Sequence, residues 1–215
     1  MKSLFFSGCS ITWGDELKKR FAERYSTLVS NHYDCKHINI SQCGISNDNI
    51  VRNTIKFLQN NNKPDVVVIQ FTVNQRIEYV NENSEIEHWT PQRVKNNKQR
   101  SYYTQVYNDL LGVENLWKNV FLFDAYCKSV GQKYVSIIAD HYEVTLYKPE
   151  KFYHKGKGYW RDMCKDFAPS FLHIDLLGDL FTHPHHYANG YKGGHPTAEA
   201  HKLIANYFID LIDAI

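Results

Sequence analysis

The chain reads as an α/β protein: a three-layer α/β/α sandwich with a central, mostly parallel five-stranded sheet. Three observations carry that expectation. Short apolar runs alternate with helical patterns, as in parallel βαβ units. The run Val66-Val67-Val68-Ile69 is apolar throughout instead of alternating, as a strand covered on both faces requires. The C-terminal residues Ala200, Leu203, Ile204, Tyr207, Phe208, Leu211 and Ile212 form one stripe at helical spacing.

In chain order, strands are expected at Ser3–Ser7, His37–Ile40, Asp65–Phe71 and Tyr134–Ile138, with a weaker fifth near Phe171–Ile174. Helical spacing links Phe21, Tyr25, Leu28 and Val29, then Ile50, Thr54, Phe57 and Leu58, and a longer helix is expected over Val113 to Val130. Pro196 suits the first turn of the last helix, where a missing N–H costs nothing. Two stretches resist the scheme. Residues 78–111 are polar and aromatic, and 147–167 are rich in Lys, Tyr and Gly. Loops of that length often cover active sites, so both are lid or pocket insertions on a single domain spanning 1–215, with plain surface excursions as the alternative.

Composition narrows the partners. The 215 residues carry a net charge of +2, with 43% hydrophobic and 22% charged residues. That balance gives no reason to expect nucleic acid or an anionic membrane as partner. Five cysteines without a CxxC pair or metal-ligand spacing point to reduced thiols and a cytoplasmic setting. Phe6-Ser7-Gly8-Cys9 faintly resembles a lipoprotein cleavage site, but the apolar stretch before it is far short of the roughly 7–15 residues a signal peptide uses. No segment has the length and apolarity of a membrane span. The sequence is silent on oligomeric state.

Four residues stand where chemistry could be done. Ser10 follows the first strand, at the carboxyl edge where open α/β folds bind ligands, with Gly8 and Gly14 flanking its turn. Helix capping by Ser10 or Thr12 is the plainer alternative. Gly44 follows the second strand, where a glycine N–H can approach a ligand and Ser46 or Asn47 can start a helix. Asn74 follows the third strand, and its amide can donate to developing negative charge. An ordinary turn explains Gly44 or Asn74 equally well in isolation. His195, in Gly193-Gly194-His195-Pro196-Thr197, precedes the last helix and can face the same edge; capping or core packing is its alternative. Elsewhere, Thr182-His183-Pro184-His185-His186 lacks acidic or Cys partners at ligand spacing and reads as a polar loop, not a metal site. Cys9 and Ser10 point in opposite directions at a strand end, so only one can face the site. His201 reads as an exposed or half-buried helix residue. Tyr102-Tyr103 and Trp89 suit a sugar or acyl pocket, or the packing of the 78–111 insertion.

Taken together, these blocks resemble the SGNH hydrolases, relatives of the GDSL esterases and lipases, with a flavodoxin-like fold. Gly8-Cys9-Ser10-Ile11-Thr12-Trp13-Gly14-Asp15 looks like the first block, with Cys9 where many members have Asp. Gly44 matches the second, and Thr72-Val73-Asn74-Gln75 resembles the third, with Thr72 and Gln75 replacing Gly and Asp. His195-Pro196-Thr197 resembles the fifth. The form Gly-Cys-Ser-x-Thr-x-Gly-Asp-Glu-Leu, running to Leu17, is similar to a branch of bacterial and phage proteins. The resemblance implies acyl transfer from a small ester, such as an O-acylated carbohydrate, to water or another hydroxyl. Ser10 is then the nucleophile and His195 the base, while the Ser10 and Gly44 N–H groups and the Asn74 amide form the oxyanion hole. That chemistry needs no metal or organic cofactor.

One member of the pattern is missing. The family's aspartate lies two or three residues before the histidine, where this chain has Gly193 and Lys192. Three consequences are open: a backbone carbonyl orients the ring in a Ser-His dyad, a carboxylate from elsewhere such as Asp179 or Asp175 folds into place, or catalysis is lost and the pocket only binds.

Overall fold

The computed structural model describes residues 1–138 and 195–215. Four parallel strands form the sheet among these residues: β1 (Ser3–Ser7), β2 (Lys36–Asn39), β3 (Val66–Phe71) and β6 (Tyr134–Ile138), in the order β2-β1-β3-β6. The count expected from sequence was five; the Phe171–Ile174 strand lies outside the described residues. β1 sits between β2 and β3, pairing Phe5 with Ile38 on one side and Val67 on the other. All six residues of β3 are buried, as its unbroken apolar run requires.

The pleat sorts side chains into two cores. On one face Leu4, Phe6, Val66, Val68, Val135 and Ile137 meet Tyr25 and Val29 of α3 (Tyr25–His32) and Ile204, Phe208 and Ile212 of α7 (Ala198–Asp213). On the other, Phe5, Val67, Ile69, Phe71 and Ile138 meet Ile50 and Leu58 of α4 (Asn47–Asn60) and Leu116, Val120 and Phe123 of α6 (Asp109–Val130). Alternating residues of one strand thus feed opposite helical layers, which makes the α/β/α sandwich.

Several expectations need correction. The helix expected through Phe21 and Tyr25 is broken: α2 (Arg20–Glu23) ends at Arg24, which is extended at φ −67°, ψ 142°, and α3 restarts. Phe21 is 68% exposed and lies under the Arg24 guanidinium instead of in the core. Leu203 is likewise exposed, so it falls off the buried stripe of α7. Pro196 lies outside that helix, because Thr197 is the cap and accepts from the Ala200 N–H. The long helix begins at Asp109, not Val113, because the Asn108 side chain accepts from the Leu111 N–H.

The 78–111 stretch is not a loop. It carries an antiparallel hairpin of β4 (Ile77–Val80) and β5 (Ile86–Trp89), a 3₁₀ turn at Pro91–Arg93, the short helix α5 (Asn97–Ser101) and a wide turn at Tyr102–Val106. Tyr79 stacks on Trp89 with ring centroids 4.2 Å apart, and Tyr102 meets the Trp89 ring edge. The 147–167 stretch lies outside the described residues. Among the described residues no helix is long and apolar enough to cross a membrane.

Candidate active site

The Ser10 turn is built by sterics and a closed polar chain. β1 runs straight into the four-residue helix α1 (Ser10–Trp13). Gly8 is compulsory at the junction, since a Cβ there would lie 2.1 Å from Thr12 Oγ1 and 3.0 Å from Gln70 Cβ. Neither Ser10 nor Thr12 caps a helix: the cap position belongs to Cys9, whose side chain makes no capping bond. Thr12 Oγ1 instead donates to Gln70 Oε1 at 2.6 Å and accepts from Tyr25 Oη at 2.8 Å. Burial raises the Tyr25 phenol well above its ordinary value, so that hydroxyl stays protonated and donates. Gln70 Nε2 donates to Cys9 Sγ at 3.4 Å, and Cys9 is buried in the core face of the turn. The Cys9 thiol packs into this core and also lies beside the Ser10 hydroxyl.

Ser10 is 5% exposed, and its hydroxyl donates to Cys9 Sγ at 4.0 Å, a long contact, with no direct hydrogen bond to His195. After α1 the chain reverses in a Schellman turn: Asp15 N–H bonds the Ser10 carbonyl at 2.9 Å and Gly14 N–H the Ile11 carbonyl at 3.0 Å, with Gly14 at φ 80°. This turn delivers Asp15 and Glu16 to His195.

Two asparagine amides link the blocks in series, the second to the first and the second to the third. Asn39 Nδ2 at the end of β2 donates to the Thr12 carbonyl at 3.0 Å and to Ser26 Oγ at 2.9 Å, while its Oδ1 accepts from the Ser41 N–H. Asn47, the first residue of α4, reaches the end of β3: Nδ2 donates to the Thr72 carbonyl at 2.9 Å and Oδ1 accepts from the Thr72 N–H at 2.7 Å. Ser46, not Asn47, caps that helix. Gly44 lies in the turn between these clamps at φ 78°, with nothing within 4 Å of where a Cβ would be. Its neighbour Cys43 has its thiol pushed up to about 11 by desolvation and by the Asp15 carboxylate, so it stays protonated near neutrality.

Asn74 is buried and packs beneath α6, where a Cβ on Gly112 would lie 3.0 Å from the Asn74 carbonyl oxygen. Its strand-end loop is pinned by Arg76 Nη1 on Thr72 Oγ1 at 2.9 Å and by Tyr103 Oη on the Gln75 carbonyl at 3.0 Å. Asn74 also lines a cleft of about 1060 Å³ that the hairpin, the Tyr102–Val106 turn and the start of α6 enclose, with Tyr79, Trp89, Tyr102, Tyr107 and Leu111 among its walls. Ser10, Gly44 and His195 do not line it, so the cleft adjoins the site on the Asn74 side only.

His195 meets the turn that follows α1. Its backbone N–H donates to Glu16 Oε2 at 3.2 Å, its ring Nδ1 lies 3.5 Å from Glu16 Oε1, and its Nε2 lies 3.9 Å from Asp15 Oδ2. Asp15 is also 3.9 Å from Arg20 Nη2, which balances part of this acidic pair. Asp175 and Asp179, the orienting carboxylates considered from sequence, lie outside the described residues, as does the His183–His186 loop. Among the described residues, no group of three or more His, Cys, Asp or Glu side chains could hold a metal ion. His201 is fully buried, contrary to expectation: its Nδ1 accepts from the Tyr25 N–H at 3.1 Å, and desolvation pulls its pKa down to about 4.

Sequence reasoning missed Glu16, Asn39, Asn47 and Gln70. Asn47 had a visible signal, a polar side chain at a helix start near a glycine turn, but its partner lies 25 residues away. Glu16 had none beyond its place in the Gly-Asp-Glu-Leu run, since it meets His195 across 179 residues.

No family model and no curated protein sequence matches the chain significantly. Solved structures do. A protein described as lipolytic and of the G-D-S-L family, from Desulfitobacterium hafniense, superposes with TM-score 0.60 at 11% identity, covering 98% of this chain and 99% of its own. The psychrotrophic esterase EstA from Pseudoalteromonas sp., in a structure inhibited by monoethylphosphonate, gives 0.56 at 15% identity, covering 100% and 98%. A lipolytic G-D-S-L family member from Veillonella parvula gives 0.54 at 11% identity, covering 100% of both chains. The chain has the α/β/α fold of the G-D-S-L lipolytic proteins and their esterase relatives.

Proposed function

We propose that the chain is a serine hydrolase of the SGNH type that cleaves, or transfers, the acyl group of a small ester. Ser10 Oγ attacks the ester carbonyl while His195 Nε2 takes its proton. The tetrahedral oxyanion is held by the Ser10 and Gly44 N–H groups and the Asn74 amide, and loss of one such donor typically costs about 10²–10³ in rate. Collapse expels the alcohol, to which His195 returns the proton. Water or another hydroxyl then attacks the acyl-enzyme through the same base. Every step is carried by side chains and backbone of this chain.

The observation that carries the reading is the contact between His195 and the turn closing α1, which ties the C-terminal histidine to the Ser10 segment. The clamps from Asn39 and Asn47 support it, because they join the loops holding Ser10, Gly44 and Asn74. The rest of the ester is assigned to the cleft beside Asn74. Its aromatic wall, Tyr79 stacked on Trp89 with Tyr102 beside them, and the amides of Asn97, Gln105 and Asn115 suit an O-acylated sugar. The alternative, a binding protein that has lost catalysis, rests on the lack of a carboxylate near the histidine in sequence; the nearness of Glu16 and Asp15 to the ring favours the hydrolase reading over it.

A fluorophosphonate probe tests the nucleophile. Labelling is expected in the parent and absent in Ser10→Ala; labelling that survives unchanged in that variant removes Ser10 from the role. With p-nitrophenyl acetate, His195→Ala is expected to lower kcat by about 10³-fold or more.

A further inference from the structure

The geometry points to Glu16 as the carboxylate that orients His195, completing a Ser10–His195–Glu16 triad whose acid follows the nucleophile in sequence instead of preceding the histidine. This rests on the reading of His195 as the base.

Three observations converge on Glu16. Its carboxylate spans one residue, with Oε2 on the His195 N–H at 3.2 Å and Oε1 at 3.5 Å from Nδ1. Only the backbone N–H is hydrogen-bonded: Nδ1 is buried without a hydrogen-bond partner, and the Glu16 carboxylate is the acceptor that stands nearest to pairing it. The nitrogen it faces is Nδ1, so the proton sits there and Nε2 keeps its lone pair for the serine proton. Asp15 is the weaker candidate for this role, because it lies 3.9 Å from Nε2, the nitrogen that must stay open, and is shared with Arg20.

The second observation is backbone strain. Glu16 sits at φ 64°, one of three left-handed residues other than glycine among those described. The other two, Asp34 and Ser84, have short polar side chains of the kind found in turns; a glutamate gains nothing locally from this conformation. The third is the route the chain takes. The Schellman turn at Gly14 and the left-handed Glu16 together fold the segment back, so its carboxylate returns to the edge occupied by α1. Backbone strain of this sort persists where the surrounding structure and the site require it.

Long-range ¹H–¹⁵N spectra of histidine-labelled protein, with the His195 signals identified by their absence in His195→Gln, test the assignment directly. The parent is expected to show the Nδ1–H form, and Glu16→Gln to shift His195 toward Nε2–H. With p-nitrophenyl acetate, Glu16→Gln is expected to lower kcat by about 10²–10⁴-fold while KM changes by less than about 3-fold. Glu16→Asp should recover part of the loss. Glu16→Gly, which relaxes the left-handed backbone, should lose kcat equally and keep Tm within about 4 °C of the parent. An Nδ1–H signal unchanged in Glu16→Gln overturns the assignment, even if kcat falls; so does a kcat that stays near the parent value. The spectra need no turnover. They therefore report on Glu16 even if Ser10 fails to react with the phosphonate, a result that would count against the nucleophile and not against this pairing.

Discussion

Asn47 holds the backbone of Thr72 by both of its polar groups, donating to the carbonyl at 2.9 Å and accepting from the N–H at 2.7 Å. Both residues are about 99% buried, so no water stands ready to replace either bond. The clamp fixes the end of β3 two residues before Asn74, and the start of α4 three residues after Gly44. One side chain thereby sets the distance between two of the proposed oxyanion donors.

Asn47→Ala leaves a buried donor and a buried acceptor at Thr72 unpaired, each costing about 1–3 kcal/mol. Urea unfolding is expected to show a loss of about 2–6 kcal/mol with an unchanged m value. Asn47→Asp keeps the acceptor but buries a charge and sets a carboxylate oxygen against the Thr72 carbonyl, so near neutral pH it should be destabilised at least as much as the alanine variant. Equal stability of Asn47→Ala and the parent would contradict the clamp.

The glycines of the site separate backbone from side-chain demands. At Gly44 an added methyl meets nothing, so Gly44→Ala is expected to cost only the left-handed conformation, about 1–2 kcal/mol, although it also places a methyl beside the N–H offered to the oxyanion. At Gly8 the added methyl strikes Thr12 Oγ1, the atom bonded to both Gln70 and Tyr25. Gly8→Ala is therefore expected to cost more than Gly44→Ala in thermal unfolding. Removing Thr12 Oγ1 removes the closest collision and leaves tight contacts of 3.0 Å to Thr12 Cβ and Gln70 Cβ, so Gly8→Ala combined with Thr12→Ala should be less destabilised than the sum of the two single changes by about 1 kcal/mol. Strict additivity would show that the collision is relieved some other way.

What the sequence reveals here follows the range of the forces involved. β1, β3 and β6 are legible to within a residue because their runs answer to burial on two faces, a property of each segment alone. The hairpin Ile77–Val80 and Ile86–Trp89 is not, since its strands are four residues each, half-exposed, and stabilised by Tyr79 stacking on Trp89 from the other strand. The break at Arg24 is hidden because Phe21 and Tyr25 keep helical spacing across it, while a guanidinium covers the exposed ring. Ser10, Gly44, Asn74 and His195 are legible as strand-end or helix-start positions. The carboxylate is not: the residues just before His195 in sequence are Gly193 and Lys192, whereas the acid beside the ring comes from 179 residues earlier in the chain.

His201 makes stability depend on pH in a direction that can be worked out. Its Nδ1 accepts the Tyr25 N–H, and burial favours the neutral ring, holding the folded pKa near 4 against about 6.5 when unfolded. Between these values the unfolded chain binds the proton that the folded chain refuses. The contribution of His201 is therefore fully present above about pH 6.5 and declines as pH falls toward 4, by about 3 kcal/mol in all. His37 and His88 are shifted down for the same reason, burial first and a nearby arginine also contributing, so the parent's slope in this window sums several groups. His201→Asn isolates the term, because the amide oxygen can still accept from Tyr25 but does not titrate. Urea midpoints measured from pH 7 to pH 4.5 should fall less steeply in His201→Asn than in the parent. Parallel lines would mean that His201 is protonated inside the fold, and that the Tyr25 N–H does not hold its Nδ1 as acceptor.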